Sequence, residues 1–142
     1  MLRILVLVDG SENSDRAVDY LIRQIPLYAE PLEIHLLNVQ GSIASGNVTS
    51  YFSREQIAAY YQDEGAAALA SARKLLDGAG IKYAQHIGVG DVGNAVTQYV
   101  KEQQLQQIVM GTRGLGSVAG MILGSVATKT IHASPVPVLL VK

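Results

Sequence analysis

Apolar residues in this chain fall into short unbroken runs that alternate with stretches of helical spacing. Residues 2–8 form the first run, rich in branched side chains, and predict a strand buried on both faces of a sheet. Asp9-Gly10-Ser11 ends it. Ala17, Val18, Leu21, Ile22 and Ile25 then recur at helical spacing, with Ser11 or Ser14 as the N-cap and Pro26 just past the end. Leu32, Ile34, Leu36, Leu37 and Val39 predict a second strand, and residues 40–53, rich in Gly, Ser, Asn and Thr, a long loop of the kind that often forms a binding loop or lid. A long helix follows over residues 54–76, with Ile57, Tyr61, Ala68, Ala72 and Leu75 on one face and the glycines of Asp77-Gly78-Ala79-Gly80 to close it. Residues 81–87 predict a third strand, which Lys82, Gln85 and His86 interrupt, placing it toward a sheet edge. Asp91 caps a helix whose face is Val92, Ala95, Val96, Tyr99 and Val100. Residues 107–110 and 136–141 predict the fourth and fifth strands, with a helix over 124–133 between them.

Strand and helix therefore alternate throughout. This predicts an α/β fold: a doubly wound, Rossmann-like parallel sheet of five strands with helices on both faces. At 142 residues, with no internal repeat or linker, the chain is expected to form one domain over residues 1–142. Hydrophobic residues make up 49% and charged residues 16%, a balance that argues for a packed core rather than disorder. A net charge of −1 supplies no field to gather nucleic acid or an anionic membrane. The absence of cysteine removes disulfides, thiolate nucleophiles and Cys-metal sites, as suits a reducing compartment. The apolar amino terminus stops at Asp9, too short for a signal-peptide core or a membrane span, so a soluble cytoplasmic protein is expected.

In an open parallel sheet, ligands bind beyond the carboxyl ends of the strands, where strand order reverses. After the fourth strand stands Gly111-Thr112-Arg113-Gly114, then nine residues, then Gly124-Ser125, a G-x2-G-x9-G-S pattern. Gly111 and Gly114 let the backbone turn and a polar ligand approach its amides, and Gly116 and Gly120 keep the intervening loop compliant. Gly124 and Ser125 sit where a helix starts, with free N–H groups at the positive end of its dipole. Phosphate suits that place, with Arg113 adding a positive charge and Ser125 a hydroxyl. The same glycines serve equally in a plain tight turn. Asp9, ending the first strand, can accept hydrogen bonds from a ribose or a base, or can simply cap the turn before the first helix. The two features meet only if strands one and four are neighbours.

The ordered set Val6-Leu7-Val8-Asp9-Gly10-Ser11 with Ser14 and Ala17, Leu37-Asn38-Val39, Gly90-Asp91, Gly111-Thr112-Arg113-Gly114 through Gly124-Ser125-Val126-Ala127, and the closing Ser134-Pro135-Val136-Pro137-Val138-Leu139-Leu140-Val141 resembles the universal stress proteins of the ATP-binding type over nearly the whole chain. The resemblance implies a sheet ordered 3-2-1-4-5 with a nucleotide across the first and fourth strands. By position, adenine would lie against Val39 and Val8-Asp9, with Asp9 near the ribose. Gly111, Arg113 and Gly114 would line the ribose and phosphates, Gly124, Ser125, Val126 and Ala127 would hold the phosphates, with Mg2+ bound through them, and Met110 would also contact the nucleotide. It also implies a twofold dimer joined antiparallel through the last strand, with Val136, Val138 and Leu140 at the interface. Pro135 and Pro137 independently confine that strand to an edge.

Other signals carry less. Gly88-Val89-Gly90-Asp91-Val92-Gly93 spells G-x-G-x-x-G but follows the third strand, and no carboxylate ends the next, so it reads as a turn and N-cap. No Walker A sequence is present. His35, His86 and His132 lack metal-ligand spacing and read as structural or surface residues. Tyr51-Phe52 either packs over the site as a lid or pins the loop. Efficient phosphoryl transfer needs a positioned metal, charge neutralisation and a group to orient the nucleophile, of which only Arg113 can be nominated. The expectation is a nucleotide-responsive regulatory module that hydrolyses ATP slowly or not at all. The alternatives are a genuine ATPase or nucleotidyl-transfer enzyme, and a dimeric scaffold without a physiological nucleotide.

Overall fold

The computed structural model describes residues 1–43, 51–115, 120 and 122–142. Strands β1 (Leu2–Leu7), β2 (Leu32–Gln40), β3 (Tyr83–Val89), β4 (Gln107–Gly111) and β5 (Val138–Val141) pair in parallel as one sheet, in the order β3-β2-β1-β4-β5. Helices α1 (Glu12–Gln24), α2 (Arg54–Gly78), α3 (Val92–Gln103) and α4 (Ser125–Ala133) cover it. The chain winds outward from β1 to β3, then crosses back and pairs β4 with the free side of β1, with Ile4 opposite Gln107 and Leu7 opposite Met110. Of the expected loop, residues 44–50 lie outside the described residues, as does Gly116.

Side-chain alternation divides the core into two layers. Ile4, Val6 and Val8 of the first run join Ile34 and Leu36 against Ala17, Val18 and Leu21 of α1 and Leu69, Ala72 and Leu76 of α2. Leu5 and Leu7 join Leu37, Ile108 and Met110 against Val96, Tyr99 and Val100 of α3 and Ala127 of α4. Both faces of the central strands are thereby buried, which is why they read as unbroken apolar runs.

Of the two caps expected for α1, Ser11 serves: its hydroxyl accepts from the Ser14 amide at 3.1 Å. Several boundaries differ from the expectation, each for a local reason. The third strand starts at Tyr83 because Ile81 closes the preceding helix instead, donating its amide to Leu76 O at 3.0 Å across Gly80, whose φ of +70° turns the chain. The last strand starts at Val138, not Val136. Val136 is held in a turn, its amide bonded to Ser134 Oγ at 3.2 Å, and Pro137 has no N–H to offer a ladder, although its carbonyl accepts from Ile108. On α2 the buried stripe is Gly65, Leu69, Ala72 and Leu76, while Ile57, Tyr61, Ala68 and Leu75 flank it half-exposed. Gly65 belongs to the core because the Ile87 side chain fills the place its Cβ would take. Both β3 and β5 are edges, as expected.

His35 is buried among apolar side chains but fully partnered. With its proton on Nε2 the ring donates to Glu33 Oε1 at 2.7 Å and accepts from the Tyr99 hydroxyl at Nδ1 at 2.9 Å. His86 stacks on the Tyr99 ring, centroids 5.0 Å apart. The hydrogen bond from His35 holds the Glu33 carboxyl below its ordinary value against the opposing push of burial, with Arg3 adding to the downward pull. Burial, and after it the charge of Glu33, raises Tyr99.

A carboxyl depressed by folding contributes stability above its unfolded pKa and loses that contribution as pH falls through the folded value. Stability should therefore begin to decline below about pH 4.5, the ordinary value for Glu33. Urea unfolding across this range should show a shallower acid decline in Glu33→Gln. An identical pH profile for the variant would contradict the assignment.

Candidate functional site

The carboxyl ends of β1 and β4 lie side by side, so the turn after one meets the glycine segment after the other. Gly10, with φ of +83°, turns the chain out of the sheet, and its Cα lies so close to α2 that a Cβ would stand 3.3 Å from the Ala68 backbone. The next turn is organised by Asp9. Its amide donates to Ser14 Oγ at 3.2 Å, and its Oδ1 accepts from the Ser11 amide at 2.9 Å. Its Oδ2 accepts from the Leu115 amide at 2.9 Å. The capping role considered for Asp9 is thus present, and the same carboxylate also holds the glycine segment. A Cβ on Gly114 would collide with Asp9 Oδ2, and one on Gly111 with Asn13 Oδ1.

From the other side, the Gly124 amide donates to Thr112 O at 2.7 Å, and a Cβ there would come within 3.3 Å of Arg113 Cα. Gly124 is the N-cap of α4 and brings no side-chain cap. Helix geometry leaves the amides of Ser125, Val126 and Ala127 without intrahelical partners; the first intrahelical bond runs from Thr128 to Gly124 O. On the facing helix, by contrast, Asp91 Oδ2 caps α3 by accepting from the Asn94 amide at 2.9 Å. Of the two helix starts, α3 carries its own anion and α4 presents bare amides, so an external anion is drawn to α4.

A cavity of about 500 Å³ opens between these elements. Every residue singled out for nucleotide contact lines it: Val8, Asp9, Val39, Met110, Gly111, Arg113, Gly114, Gly124, Ser125, Val126 and Ala127. Its lining combines apolar side chains, Leu7, Val39 and Met110 among them, with the first turn of α4 and two cations, Arg113 and Lys129. Such a lining suits a ligand that joins an apolar part to an anionic one. Lys129 and Asn38 also line it and were not anticipated. Lys129 lies four residues after Ser125, on the same helical face, a spacing that could have drawn attention to it. Asn38 interrupts an apolar run; its amide donates to Val8 O at 2.8 Å and its oxygen accepts from Gln40 at 2.6 Å, tying the ends of β1 and β2.

The discounted motif has the structural role expected of it. Gly90 turns the chain at φ of +116°, Asp91 caps, and Gly93 packs against Ala133 of α4. Tyr51 and Phe52 are exposed, outside the cavity lining. The start of the loop is instead held by Tyr61, whose hydroxyl accepts from the Ile43 amide at 2.9 Å. Among the described residues no cluster of three His, Cys, Asp or Glu could hold a metal ion, and no helix is long and apolar enough to cross a membrane.

The family model described as the Universal stress protein family matches residues 1–142. Universal stress protein MJ0531 of Methanocaldococcus jannaschii is 28% identical over 141 residues, covering 99% of this chain and 81% of that protein. Among solved structures, the hypothetical protein MJ0577 superposes with a TM-score of 0.82 at 24% identity, over 99% of this chain and 95% of that one. A universal stress protein crystallised in complex with cAMP superposes with a TM-score of 0.71 at 25% identity, over 99% and 97%.

The contact between Gly114 and Asp9 yields a double-mutant test. Gly114→Ala should destabilise the wild-type chain, and the loss should shrink in an Asp9→Ala background, with a coupling of about 1–3 kcal/mol by chemical denaturation. Additive losses would show that the carboxylate does not occupy that space.

Proposed function

The chain belongs to the universal stress protein family, and from that membership and the shape of the cavity we propose a nucleotide-responsive binding module whose ligand is ATP. The observation that carries the reading is the uncapped first turn of α4 opening into the same cavity as the apolar surface of Val39 and Met110. Adenine lies against Val39 and the Val8-Asp9 segment, with Asp9 beside the ribose. Gly111, Arg113 and Gly114 flank the ribose and phosphates, and the amides of Ser125, Val126 and Ala127 with the Ser125 hydroxyl hold the phosphates. The cAMP complex of a relative of similar fold supports an adenine nucleotide as the class of ligand.

Mg2+ would enter with the phosphates, bound to their oxygens and to water, and would neutralise part of their charge. Slow or absent hydrolysis is the expectation: Asp9 holds two backbone amides and Asp91 Oδ2 caps α3, so the two carboxylates at the cavity already serve the fold. The module is placed in the cytoplasm, where ATP is available and a chain without cysteine is at home.

Equilibrium dialysis should show one ATP bound per chain, and Gly124→Asp, which sets a carboxylate against Arg113 at the start of α4, should abolish it. ATP at about 100 times its dissociation constant should add roughly 2.7 kcal/mol to the stability of the wild-type fold. Wild-type protein that binds no ATP, or a variant that binds it unchanged, would refute the assignment.

β5 ends the sheet with an unpaired edge, flanked by Pro137 and bearing half-buried Val138 and Leu140. We assign it, with Val136 beside it, to an antiparallel twofold dimer, since a bare apolar edge invites pairing. Sedimentation at micromolar concentration should give a dimer that Leu140→Lys dissociates; a monomeric wild-type chain would exclude it.

A further inference from the structure

Asn13 lies outside the cavity yet reaches the backbone that lines it. It is buried, 7% exposed, and its Oδ1 accepts from the Arg113 amide at 2.9 Å, 100 residues away in the chain. Ser11 already caps α1, so this oxygen is not needed there. The other half of the side chain, Nδ2, is buried and has no partner among the described residues. Turning the amide over would aim its hydrogens at the Arg113 N–H, so the bond to Arg113 dictates the orientation, and the orphaned donor is its consequence. Gly111 completes the fit: a Cβ there would strike Asn13 Oδ1 and stand 2.8 Å from Asn13 Cγ.

We propose that Asn13 is a positioning residue which, with Asp9 bonded to Leu115, clasps the Arg113–Leu115 backbone from the α1 side and preforms the glycine turn before any ligand arrives. Gly111 is then glycine to receive a protein side chain, whatever a ligand requires of it. The ligand side of this inference rests on the ATP reading above. A preformed turn spares the ligand the cost of ordering it, so losing the clasp weakens binding without removing any ligand contact.

Backbone amide exchange, followed by NMR on the ligand-free chain, tests the clasp directly. In Asn13→Ala the Arg113 amide should exchange about tenfold faster or more, and ATP should bind about five- to tenfold more weakly, the loss expected from one hydrogen bond. Asn13→Asp keeps the acceptor and sets a carboxylate in the first turn of α1, where the dipole favours it, so it should restore protection of Arg113. Unchanged exchange in Asn13→Ala, or faster exchange with unaltered affinity, would overturn the proposal. If the wild-type chain bound no ATP, the ligand reading would fall, and the exchange rates alone would decide for or against the clasp.

Discussion

Four register pairs between β1 and β4, from Ile4 opposite Gln107 to Leu7 opposite Met110, bring together two turns that are about a hundred residues apart in the chain. All of the site geometry depends on this pairing. It sets the Asp9 carboxylate against the Leu115 amide and the Asn13 oxygen against the Arg113 amide, and it leaves the start of α4 beside both. A parallel sheet wound in two directions must have one such place, because the loops on either side of the reversal diverge to opposite faces and leave a crevice.

Within that crevice the polar groups divide their labour. The carboxylates face inward but are spent on protein amides, Asp9 on two and Asp91 on one. Among the described residues, the first turn of α4 brings amides without intrahelical partners, and Arg113 and Lys129 bring positive charge, all favourable to an anion. This imbalance is local. The chain as a whole carries a net charge of only −1, so its attraction for an anion comes from a few oriented groups rather than from a general field.

The glycine segment illustrates how one residue type answers several demands. Gly111 and Gly114 make room for the side chains of Asn13 and Asp9, and Gly124 allows its helix to press on the backbone of Arg113. The spacing of these glycines is visible in the chain, and they line the cavity. The reason for two of them was not visible, since nothing in a spacing pattern tells which side chain will occupy a missing Cβ.

What could be read without coordinates was whatever depends on neighbours in the chain. Periodicity identified every strand and helix described above, because burial on one face or two leaves a local pattern, and the family resemblance supplied the strand order that is observed. Two boundary shifts are local: Ile81 closes the preceding helix through its bond to Leu76 and so does not join the third strand, and the Ser134 turn withholds Val136 from the last one. The remaining differences come from distant partners. The stripe of α2 was read beside its true line because Gly65, with no side chain, is buried by Ile87 of another element. Asn13, Asn38 and Lys129 acquire their roles only when β1, β2, β4 and α4 converge. Hydrogen bonds across such separations are decided by the packing of the sheet, and no window of sequence contains both partners.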